Sequence, residues 1–170
     1  QGAVEKAGSH GDPPAPPKLL KPIDIEINTS DKSLSEMLAD GEIDAILGSR
    51  MPPSVRTAPD KVEHLFPNFR EEEKRYYREH GIHPIMHTVV IRKEIYEENK
   101  WIAQSLYKAF LAAKNWAVEQ MYFSGAQKYM LPWLFDDLRE IDEVFGGDPW
   151  PYGIEENRST LEALVKYMGQ

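Results

Sequence analysis

His87 lies in the run PIMHTVVI, residues 84–91, with His83 four positions before it and His80 three before that. An imidazole exchanges a proton near neutrality, so a histidine held in a fixed direction suits general acid or base chemistry. Arg50 follows Gly48 and Ser49 at the end of another apolar run. A guanidinium can grip a carboxylate through two parallel hydrogen bonds, which a lysine cannot reproduce. An ordinary surface ion pair is the competing role for Arg50. The histidine spacing argues against a metal: on a strand rising about 3.3 Å per residue, His83 and His87 stand about 13 Å apart, too far for one ion. His80 and His83 approach each other around Gly81, but no carboxylate is placed with them. There is no serine in a nucleophile elbow, no phosphate-cradling glycine pattern and no cysteine, so no cofactor is called for.

The elements that would position these groups alternate in period. Residues 84–91 are too short and too β-branched for an ordinary helix, and their apolar side chains fall on both parities. That pattern predicts a central strand with both faces covered. Ile23, Ile25 and Ile27 alternate with polar residues as in a half-buried strand, and residues 43–47 form a second strand candidate. Between them Ser33 and Glu36 spell a capping box, Leu34, Met37 and Leu38 give one apolar face, and Gly41 ends the helix. Strand, helix, strand favours a right-handed parallel crossover, which puts residues 48–53, with Ser49 and Arg50, at the carboxyl edge of an α/β sheet. Residues 62–66 suit a further strand or a turn packed on one.

Asn68 can cap a helix carrying Phe69, Tyr76 and Tyr77 at core spacing, and Gly81 stops it. The charge run 71–75 suits a solvated helix face. Asn99 is placed to cap a long helix reaching about Phe123, with Ile102, Leu106, Ala109, Phe110, Ala113 and Ala117 as its buried stripe and Trp101 and Trp116 as core or interface filler. Residues 126–133 and 136–144 suit two further helices. A turn-rich stretch, 146–153, then leads to a final helix with Leu161, Leu164, Val165 and Met168 on one side.

Composition bounds the partners. At 170 residues, with 41% hydrophobic and 28% charged, the chain reads as a globular protein able to bury a core. No apolar run approaches the roughly 20 residues that cross a bilayer. A net charge of -8 without a basic stripe argues against nucleic acid. Residues 1–22 are rich in proline and glycine and read as a connecting segment.

The combination LADGEIDAILGSRMP, VEHLFPNFREEEKRYYREHGIHPIMHTVVIR, LPWL and FGGDPWPYGIEENRSTLEALVKY resembles the carboxyl-terminal part of the 4,5-dihydroxyphthalate decarboxylase family. PIMH together with DPWPYGIEENR is the specific portion; GEIDA alone is weak. The resemblance implies a partial type II periplasmic binding protein-like α/β fold, with an α/β lobe over residues 23–83 and, over 84–170, a crossover strand and the helical part of the other lobe. It implies that family members carry an amino-terminal portion beyond this chain. Helices from Asn99 onward should then expose the apolar stripe that covers the missing sheet, and association, as a homo-oligomer or with a complementary amino-terminal chain, is expected.

The implied reaction converts 4,5-dihydroxyphthalate to 3,4-dihydroxybenzoate and carbon dioxide, with a small aromatic acid as substrate and a cytoplasmic catabolic setting. A hydroxyl para to each carboxylate pushes electron density onto the carbon that must be protonated. The resemblance makes His87 the proton carrier and Arg50, with Ser49 beside it, the carboxylate clamp. Tyr152, Asp148, Asn157 and Arg158 either line the cleft or fix a turn and cap the last helix. Two alternatives stand beside the enzyme: a solute-binding protein closing on an organic acid without turnover, and a fragment inactive without its amino-terminal half.

Overall fold

A computed structural model of the chain describes residues 4–6, 24–126 and 128–169. Most of the expected connecting segment, and Ile23, lie outside them. The chain divides into two compact units, Gln1–Phe69 and Arg70–Gln170.

In the first unit, α1 (Leu34–Asp40) has both halves of the anticipated capping box: Glu36 N–H donates to Ser33 Oγ at 3.2 Å, and Ser33 N–H donates to Glu36 Oε2 at 2.7 Å. The Ser33 N–H, and then the Ser33 hydroxyl that also donates to Glu36 Oε2 at 2.7 Å, hold the Glu36 carboxyl below its ordinary range. Gly41 closes the helix at φ 76°. A second, unanticipated helix, α2 (Ser54–Thr57), docks through two buried hydroxyls. Ser35 Oγ donates to Ser54 Oγ, and Ser54 N–H donates to Ser35 Oγ, both at 2.9 Å. Val62 supplies the buried apolar side chain of this unit among the described residues.

The second unit is built from α3 (Phe69–His80), whose first residue belongs to the first unit, then α4 (Lys93–Glu98), α5 (Trp101–Tyr122), α6 (Leu134–Phe145) and α7 (Arg158–Met168). Gly81 ends α3 at φ 62°, its N–H donating to Tyr77 O at 2.7 Å. The charge run of α3 splits between solvent and a neighbour. Arg75 pairs with Glu72 and Glu79 on its own helix. Arg70 instead reaches Asp137 and Glu140 on α6 at 2.6 Å each, and Lys74 reaches Glu140 at 2.7 Å. Leu134 and Leu138 are the buried apolar residues of α6.

Several expectations need correction. Among the described residues there is no strand: 24–27, 43–47, 62–66 and 84–91 all lack sheet partners. Strand formation is non-local, because each backbone group is satisfied only by a neighbouring chain segment. None of residues 84–91 has such a backbone bond. The described residues are therefore helical and irregular rather than a recognisable α/β sheet. Asn99 closes α4 instead of opening α5: its N–H and its side-chain Nδ2 both donate to Ile95 O, at 3.0 and 3.3 Å. The helix expected over 126–133 is absent from the described part of that stretch. Ala109, Phe110 and Ala113 on α5 are exposed rather than buried, as are Leu164, Val165 and Met168 on α7, which agrees with the expectation that helices from Asn99 onward expose their apolar stripe. Trp101 and Trp116 are likewise exposed and are not core filler. Amphipathic stripes are read correctly as apolar, but burial requires something to pack against.

Among the described residues no helix is long and apolar enough to cross a membrane.

Candidate functional site

The second unit encloses an open cavity of about 790 Å³. Its walls come from residues 83–89 and Ile91, the Ala103, Leu106, Tyr107 and Phe110 face of α5, residues 149–154, and Asn157 and Leu161 at the start of α7. The lining is dominantly apolar and aromatic with a few polar tips, as small-molecule sites usually are. No strand orients residues 83–91; they are held between elements. Gly81 turns the chain out of α3, and Thr160 then anchors it. The Thr160 hydroxyl accepts from His83 N–H at 3.3 Å and donates to His83 O at 3.2 Å.

The wall formed by residues 149–154 is pinned by four side chains. Asp148 Oδ1 accepts from Trp150 N–H at 3.1 Å, a tight local turn, while its Oδ2 takes the Lys114 ammonium at 2.5 Å. Lys114 also donates to Trp150 O at 3.2 Å, and Tyr107 OH donates to Tyr152 O at 3.3 Å. Asn157 Nδ2 donates to Pro151 O at 2.7 Å and to Gly153 O at 2.8 Å, folding the proline-rich turn onto the head of α7. Gly153 has φ 121°, a conformation that side chains disfavour, and a Cβ there would collide with the Glu156 carboxylate.

The candidate residues separate clearly. His87, Tyr152 and Asn157 all line the cavity. His87 is exposed. Asn157 lines it while bracing the turn, so its cleft and structural roles coincide. Asp148 is occupied by Lys114. Arg158 is outside the lining and is engaged on the surface by Glu155 at 2.5 Å and Glu162 at 3.6 Å. Arg50 and Ser49 belong to the first unit, where both are exposed and the Arg50 guanidinium lies 3.6 Å from Glu5. Among the described residues no group of three or more His, Asp or Glu is arranged to hold a metal.

Sequence reasoning missed three contributors. Tyr107 and Lys114 are seven residues apart on α5 and thus share a face with Phe110, a signal present in the helical period but masked by the apolar stripe. His83 was considered only as a metal ligand. It sits in a box of rings: Phe145 at 5.0 Å, Trp150 at 6.0 Å and Tyr77 at 6.3 Å between centroids. Burial there lowers its pKa from the usual histidine value, with Glu73 opposing the shift.

No protein-family model matches the chain. Over 148 residues it is 32% identical to 4,5-dihydroxyphthalate decarboxylase of Comamonas testosteroni. The chain is a distant relative of that protein. The match covers 87% of this chain but 45% of the decarboxylase, so the chain spans less than half the length of the relative it matches.

Proposed function

We propose that the second unit carries part of the site of a carboxy-lyase that removes carbon dioxide from a dihydroxylated aromatic dicarboxylate, 4,5-dihydroxyphthalate to 3,4-dihydroxybenzoate. The observation that carries this proposal is the cavity that gathers His87, Tyr152 and Asn157 between aromatic walls in a chain related to a decarboxylase. A flat aromatic acid suits such walls by stacking and by desolvation of its ring. His87 delivers the proton to the carbon that loses carbon dioxide, and its place in an open cavity leaves it free to be recharged from solvent. Tyr152 and Asn157 orient the ligand. In the first unit, Arg50 with Ser49 next to it is proposed as carboxylate-binding, and Arg158 is retained with its surface acidic partners as competitors.

The proposed setting is a two-lobed, binding-protein-like α/β protein in the cytoplasm, working in aromatic-acid breakdown. The exposed Met86, Val89 and Val90 and the exposed Trp101 and Trp116 support a covering partner, either a second copy or a complementary chain. A solute-binding protein without turnover is the second candidate, favoured by the dominance of apolar lining over ionisable groups in the cavity.

Carbon dioxide release from 4,5-dihydroxyphthalate, measured for this chain and for the longest reading frame that contains it, tests the proposal. Turnover by either protein supports a carboxy-lyase. A longer protein that folds and binds the acid without releasing carbon dioxide supports the binding protein instead.

A further inference from the structure

His83 lines the same cavity as His87 but in different surroundings. α3 presents the edge of Tyr77, α6 presents Phe145, the 148–152 turn presents Trp150, and α7 presents the Thr160 hydroxyl to the His83 backbone. The charged group that acts on it from these elements is Glu73 of α3, and the other ionisable groups are Tyr77 beside it and, along the cavity wall, His87, Tyr107 and Tyr152. No group among the described residues hydrogen-bonds its ring nitrogens. Among the described residues no buried side-chain nitrogen or oxygen lacks a partner, so both His83 ring nitrogens keep access to the cavity or solvent. The ring is therefore clamped through its backbone and packed among rings that meet it edge-on or tilted, while its chemistry stays unspent. A neutral imidazole has one nitrogen that accepts a proton, and apolar surroundings keep it neutral at ordinary pH.

We propose that His83 is the base of this cavity, taking the proton from a phenolic hydroxyl of a bound hydroxy-aromatic acid. This deepens the decarboxylase proposal and rests on it for the overall reaction. The two histidines then divide the work. The phenol O–H bond breaks and its proton passes to His83, leaving the electron pair on oxygen. That pair moves through the ring to the para carbon, which forms a C–H bond with a proton from protonated His87. The C–C bond to the carboxylate breaks, carbon dioxide departs, and the released pair restores the aromatic phenolate. His83 returns its proton to that oxygen, and His87 regains one from solvent, so one proton is consumed and no oxidant or reductant is needed.

The test uses the longest reading frame containing this chain and 3,4-dihydroxybenzoate as a probe whose phenolate absorbs at longer wavelength than its phenol. In the wild-type protein the bound probe should ionise at a pH at least about one unit higher than the free probe, a tenfold shift in equilibrium, because a neutral imidazole accepts from the neutral phenol and takes its proton only as the reaction proceeds. His83→Gln should abolish that shift and lower turnover by at least about 100-fold, with partial recovery at alkaline pH where the phenol ionises unaided. Phthalate, which lacks hydroxyls, should bind both proteins equally.

A wild-type complex that ionises like the free probe overturns the proposal whether or not the variant folds. So does a variant that loses phthalate binding to the same extent as turnover, or one with unchanged turnover. A shifted wild-type spectrum without any carbon dioxide release would leave His83 as the base and remove the decarboxylase instead.

Discussion

The Lys114 ammonium lies 4.6 Å from the centre of the Tyr152 ring while its ion pair with Asp148 closes at 2.5 Å. One side chain of α5, only 15% exposed, thus grips both ends of the 148–152 turn. Lys114 holds the wall that carries Trp150 and Tyr152 without lining the cavity itself.

Replacing that grip with an apolar chain of similar length should loosen the wall. For Lys114→Met, affinity for 3,4-dihydroxybenzoate should weaken about fivefold, about 1 kcal/mol, the scale of a partly exposed ion pair combined with a cation–π contact. Equilibrium binding followed by quenching of tryptophan fluorescence reads this. Unchanged affinity would mean that the Tyr107 and Asn157 bonds hold the turn unaided.

His87→Gln separates turnover from binding. Carbon dioxide release should fall at least about 100-fold while 3,4-dihydroxybenzoate binding changes less than about threefold. If affinity and turnover fall together, His87 serves to hold the ligand rather than to protonate it.

Gly153→Ala should destabilise the second unit by about 1–3 kcal/mol, because φ 121° strains any side-chain-bearing residue. Adding Glu156→Ala should restore little of the loss, because the exposed Glu156 carboxylate ends a flexible side chain that can swing aside and the backbone strain remains. Thermal unfolding of the single and double variants checks this; a large recovery in the double variant would assign the loss to the collision instead of the backbone.

His83 couples stability to pH. Its folded pKa is lowered by burial, so the unfolded chain binds a proton before the folded one does. Stability is full above the unfolded histidine value near 6.5 and falls as pH drops below it toward the folded value. Urea midpoints at pH 7.5 and pH 5.5 should therefore differ more in the wild type than in His83→Gln. The Glu140 carboxyl, lowered by Lys74 and then Arg70, acts in a more acidic window, below its ordinary 4.5, and does not confuse the comparison.

The exposed apolar side chains predict association of the isolated chain. Met86 is 71% and Val90 86% exposed, next to backbone groups without ladder partners. Such a segment is a template for pairing with another chain. Sedimentation should show species heavier than a monomer and binding of a hydrophobic dye; a compact monomer that excludes the dye would rule out this consequence.

What the amino-acid sequence determined by itself is local. Ser33 and Glu36 cap α1 because a hydroxyl and a carboxylate three residues apart satisfy each other's backbone donors. Gly41 and Gly81 end helices because they accept positive φ without a Cβ penalty. The long helix was legible from its period, although Asn99 was assigned to the wrong helix, since α4 and α5 abut with only two residues between them. His87, Tyr152 and Asn157 were named from short motifs, and their shared cavity was not visible there. Tertiary structure decided the rest. The strand pattern of residues 84–91 was legible, but a strand needs backbone partners that the described residues do not supply. Only packing could show that Lys114 reaches across 34 positions to Asp148, or that three rings from α3, α6 and the 148–152 turn enclose His83. Hydrogen bonds between near neighbours are written in residue order, whereas the surroundings that shift a proton are set by side chains distant in sequence.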